Sequence, residues 1–78
     1  MKEYIATFHT HLSALLTSRA LTGLGIQARM MPVPRKLSSS CGTCVRFECG
    51  EGTEIHSDDL EQLFRLDGEE LTMITSNI

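Results

Sequence analysis

Seventy-eight residues leave room for one hydrophobic core and none for a second, so the chain reads as a single domain over 1–78 with a shallow site at an edge or on a loop. A hydrophobic share of 41% beside 22% charged residues fits a folded chain and excludes a disordered one. The net charge of -3, with Lys and Arg scattered, lacks the basic stripe of a nucleic-acid binder, and no apolar run reaches the roughly 20 residues that cross a bilayer.

Residues Glu3 to Phe8 alternate, with Tyr4, Ala6 and Phe8 on one face and Glu3, Ile5 and Thr7 on the other, which predicts a strand. Thr10 is placed to cap a helix whose stripe Leu12, Leu15, Leu16, Ala20 and Leu24 would cover a sheet, ending at Gly23 and Gly25. Ile26 to Met31 alternates again as a second strand until Pro32 and Pro34 stop ladder pairing. From Pro32 to Gly42 there is no period and there are many turn formers, which marks a functional loop. Thr43 to Cys49 is a third strand, with Val45, Phe47 and Cys49 on one face. Beyond the turn that holds His56, Ser57 or Asp58 would cap a second helix buried through Leu60, Leu63 and Phe64. A last strand, Leu71 to Thr75, follows the Asp67-Gly68 turn. The order predicts an α+β fold: a ferredoxin-like βαββαβ sandwich, a four-stranded antiparallel sheet with two helices on one face.

The start of the chain, Met1-Lys2-Glu3-Tyr4-Ile5, has no signal-peptide core, so a cytoplasmic protein is expected. Three cysteines there are not a disulfide framework; they point to reactivity, metal binding or core packing. With right-handed crossovers and the third strand between the first two, one sheet edge would gather His9, Thr10, His11, the stretch from Pro32 to Arg35, and Cys41-Gly42-Thr43-Cys44. A helix N-terminus with Arg35 and Lys36 nearby favours a thiolate, which makes Cys41 the candidate nucleophile. Gly42 leaves its sulfur open to approach. Cys49 reads as a packed apolar residue and Cys44 as a partly exposed strand residue.

Other readings stand beside this one. His9, His11, Cys41 and Cys44 could form a zinc set, but the spacing is half of a convincing one, so no metal or cofactor is assigned. A dithiol pair of Cys41 and Cys44 conflicts with its context, because thioredoxin-type motifs open a helix and this one runs into a strand. The acids Asp58, Asp59 and Glu61 read as a solvated helix start.

Thr7-Phe8, Thr10-His11, Ala14, and above all Pro32-Val33-Pro34-Arg35 with Ser39-Ser40-Cys41-Gly42, resemble the small bacterial proteins described as selenium/sulfur carrier-like. That resemblance spans nearly the whole chain. It implies a carrier rather than an enzyme with its own turnover, with Cys41 holding a persulfide or selenosulfide between donor and acceptor enzymes. It also implies Gly42 as the flexible neighbour of the carrier atom and Arg35 as the cation after the prolines. Cys44 stands where that family usually has an apolar residue, leaving open a resolving role. The alternative is a small zinc-binding or protein-interaction module without carrier chemistry, including a homodimer through an exposed edge strand.

Overall fold

The computed structural model describes residues 2–37, 42–49 and 59–76. In chain order these form β1 (Lys2–Phe8), α1 (His11–Gly23), β2 (Gln27–Pro32), β3 (Thr43–Cys49), β4 (Leu60–Asp67) and β5 (Glu70–Ser76). The strands make one sheet in the order β2-β3-β1-β4-β5, every neighbouring pair antiparallel. As the topology requires, β3 lies between β1 and β2.

The expected four strands and two helices are therefore corrected to five strands and, among the described residues, one helix. Residues 60–67, read as the second helix, are β4, which turns into β5; the proposed caps Ser57 and Asp58 lie outside the described residues. Leu60 and Leu63 mislead because their three-residue spacing suits a helix. Here a β-bulge produces it. Phe8 pairs with Leu60 and Thr7 with Gln62, so Glu61 is the extra residue, and Leu60 and Leu63 both join the core under α1. The Thr7 hydroxyl accepts a hydrogen bond from Gln62 N–H at 3.1 Å where the register shifts. Between Asp67 and Glu70 the chain reverses in two residues, with Gly68 (φ +63°) at the first central position of the tight turn.

One sheet face carries α1. Ala6, Phe8, Val45, Phe47, Cys49 and Leu60 pack there against Ala14 and Leu21, with Tyr4 stacked on Phe47 at a ring-centroid distance of 5.4 Å. The alternations read for β1, β2 and β3 all place the expected residues on this side. The helix sits on it differently from expectation: Ala14 and Leu21 are buried, while Leu12, Leu16 and Leu24 of the proposed stripe are exposed at 61, 55 and 75%. Counting leucines favours the wrong face because a small residue, Ala14, is what lets the helix come close to the sheet.

The other sheet face has no helix among the described residues, yet Ile5, Thr7, Cys44 and Phe64 are buried on it. Over Phe64 the neighbouring chain is the segment after β2. Lys36 and Leu37 border a cavity of about 530 Å³ with Phe64, Leu71 and Met73 on β4 and β5, although β2 lies beyond β3 and β1. Residues 33–37 thus cross the sheet as a strap over its second face.

Candidate functional site: the cysteine loop and the edge that holds it

The loop that carries Cys41 leaves the sheet at Pro32 and re-enters it at Thr43, and these two residues are register partners. One step further out, the Val33 N–H donates to the Gly42 carbonyl at 3.1 Å, so the loop is fastened at its base. Pro34 opens a turn closed by the Leu37 N–H on its carbonyl at 2.9 Å, with Arg35 and Lys36 exposed at the turn. Gly42 has φ +72°, in the left-handed region, and a Cβ built there meets nothing within 4 Å. The glycine is needed for its backbone conformation, not for space. Cys41 itself lies outside the described residues.

The neighbouring edge gathers several expected residues. Thr10 caps α1, its Oγ1 accepting from the Ser13 N–H at 3.2 Å, and His11 at the helix start brings Nδ1 to 3.4 Å from Thr43 Oγ1. The helix N-terminus therefore stands beside the residue two places after Cys41. His9 goes elsewhere: its N–H donates to the Asp59 carbonyl at 3.0 Å and its Nδ1 lies 3.5 Å from the buried Glu61 carboxylate. It serves the junction of β1 with β4 rather than the loop.

Asp59 and Glu61, which their sequence context places in a solvated helix start, are part of this edge instead. The Thr10 and Ser13 hydroxyls each donate to Asp59 Oδ2 at 2.6 Å. The Ser13 bond first and the Thr10 bond second, with His9 nearby, hold the Asp59 carboxyl below its ordinary value. Sequence offered one signal for this: a capping threonine with a serine three residues on leaves hydroxyls free to bond a distant acid.

The remaining cysteines are settled by burial. Cys49 packs in the core with Val45 and Phe47. Cys44, expected to be partly exposed, is fully buried on the strapped face, with its Sγ 3.8 Å from the Pro32 carbonyl. Its sulfur lies across the sheet from the helix that carries His11, because Cys44 and Thr43 alternate on β3. The set of His9, His11 and Cys44 is thus not brought to one point, and among the described residues no three His, Cys, Asp or Glu side chains stand where they could hold a metal ion. Nor is any described helix long and apolar enough to cross a membrane.

No solved structure matches the chain. The chain is similar to a curated protein, "Uncharacterized protein YtiA" of Escherichia coli (strain K12), with 36% identity over 55 residues, 70% of this chain and 65% of that protein. The aligned stretch thus spans just under two thirds of the relative's length. A family model described as "Putative Se/S carrier protein-like" matches residues 3–65, which take in all but the first residue of β1, then α1, β2, the cysteine loop, β3 and most of β4. On that match, and on the resemblance its loop already carries, the chain belongs to the Se/S carrier protein-like family.

Proposed function

We propose that this protein carries sulfur or selenium on Cys41 and passes it between a donor and an acceptor protein. The observation that carries the reading is the placement of the other two thiols: Cys44 and Cys49 are both buried within the sheet, so cargo chemistry falls to the third cysteine, in the loop. The fastened loop base and the adjacent start of α1 support it, since a held loop beside a helix N-terminus favours a thiolate. Arg35, exposed at the strap turn, adds positive charge to the same loop.

In loading, the Cys41 thiolate attacks the outer sulfur of a donor persulfide. A new S–S bond forms to Cys41, the donor's own S–S bond breaks, and the donor leaves as its thiolate; the proton on the terminal sulfur stays with the cargo, and no external oxidant is consumed. Delivery is the same exchange in reverse, with an acceptor thiolate as nucleophile. A sulfane selenium atom on a donor thiol would load by the same displacement. Cys44 has no part in this scheme, because its sulfur is fully buried on the second sheet face.

The test is intact-protein mass spectrometry without reductant, after incubation with a cysteine desulfurase and cysteine. Wild type and Cys44→Ala gain one sulfur and Cys41→Ser gains none. Loading that survives in Cys41→Ser, or no loading of wild type, ends the carrier reading.

A further inference from the structure

The strand β2 is an edge of the sheet, and its hydrogen-bond phase can be read from its register. Because the Val33 N–H meets the Gly42 carbonyl, bonded pairs fall at every second residue back along the strand: Met31 with Cys44, Arg29 with Arg46, and Gln27 with Glu48. The residues between, Ala28 and Met30, then turn their N–H and C=O groups outward, where no described strand pairs with them. Pro32 falls in the same outward phase, which suits a residue without an N–H and closes the free ladder at that end.

A groove of about 850 Å³ runs along this edge, bordered by Ala28, Arg29 and Met31 with Arg46, Glu3 and Glu48 behind them. Arg46 is already paired with Glu3, whereas Arg29, exposed and directly opposite Arg46 in the ladder, is the outermost charge of that row. Across the ladder the row runs Ile5, Arg46, Arg29 and then open solvent, positive at its outer end, while Glu3 reaches Arg46 from the next row, where it stands opposite Glu48.

From this geometry we infer that β2 docks an extended segment of a partner protein as a sixth strand, with an acidic side chain opposite Arg29. Four backbone hydrogen bonds to Ala28 and Met30 supply the attachment and Arg29 supplies the choice of partner. A second copy of this chain fits poorly. The antiparallel pairing of two β2 edges that uses all four outward groups sets Ala28 against Met30, and so puts Arg29 directly opposite Arg29, a like-charge pair. Shifting that pairing by one bonded step brings in Pro32, which has no N–H, or Ile26, whose N–H is already given to the Leu21 carbonyl at 3.0 Å. The docked strand would run beside Pro32 to the base of the cysteine loop, yet the docking stands apart from what Cys41 carries.

The experiment follows backbone amide shifts of the full chain, as Cys41→Ser so that thiol chemistry plays no part, during titration with a capped six-residue peptide of alternating valine and glutamate. A valine–lysine peptide is the control. The expected result is saturable movement of the Ala28 and Met30 amides with the glutamate peptide, about ten-fold weaker with the lysine peptide, and a reversed preference in Arg29→Glu. Equal response to both peptides, shifts confined to α1 or β5, or β2 shifts that depend on protein concentration alone would each overturn it, the last by showing self-association.

Discussion

Gly42 shows how one residue's backbone can serve a site without touching it. Its φ of +72° is open to glycine and strained for other residues, and nothing crowds the position, so a substitution is felt through the backbone alone. Gly42→Ala is expected to cost about 1 kcal/mol in urea unfolding, and Gly42→Asn less, since asparagine tolerates the left-handed region better. An equal cost for both would place the constraint in the side chain's surroundings instead. The buried hydroxyl of Thr7 is a second case, serving the ladder at a point where the bulge disturbs it. Neither role is written in residue type; each appears once register is known.

At the scale of elements, the orientation of α1 yields the sharpest contrast. Ala14 is fully buried against the sheet and Leu16 is exposed, so Ala14→Leu overfills the interface by about 1–3 kcal/mol whereas Leu16→Gln stays within about 0.5 kcal/mol of wild type. Thermal unfolding of the two variants checks this, and a larger loss from Leu16→Gln would reverse the assigned face. The alternations of the first three strands, around Ala6, Ala28 and Val45, were legible because period two survives wherever a strand is regular. What was not legible follows from departures from regularity. The extra residue Glu61 gave β4 a helical spacing, and a helix that packs through a small residue hid its contact face from a count of large ones. The cysteine loop was legible from its prolines and its lack of period. The acid that bonds the helix cap, Asp59, 49 residues beyond Thr10, was not, because only the folded sheet brings β4 beside the end of β1.

Across the whole molecule, two carboxyls link the fold to pH. Glu3, held first by hydrogen bonding from the Arg46 guanidinium and also by Glu48, and Asp59, held by Ser13 and Thr10, both titrate below their ordinary values. The unfolded chain then binds more protons than the folded one as pH drops through the ordinary carboxylate range, near pH 4. Their stabilisation is complete above that range and is lost as pH falls through the lower folded values. The melting temperature should accordingly fall between about pH 5 and pH 2, and Asp59→Asn should flatten that fall; an unchanged slope in the variant would remove Asp59 from the account. The sheet order also makes β1, the first strand, wait for partners more than 35 residues away, since Thr7 pairs with Cys44 and Gln62. Such non-local pairing predicts folding in milliseconds to seconds rather than microseconds.

The strap over the second face turns its buried sulfur into a gauge. Cys49 lies in the core under α1, whereas Cys44 lies on the second face with its Sγ 3.8 Å from the Pro32 carbonyl, where the strap leaves β2, so that lifting the strap is a smaller event than opening the core. In Cys41→Ser, iodoacetamide should therefore label Cys44 measurably faster than Cys49 under native conditions, and the two rates should converge in denaturant. The gap between them reads the free energy of lifting the strap, a cost that any event at the cysteine loop, loading or docking, can raise or lower without a change in the sheet beneath it.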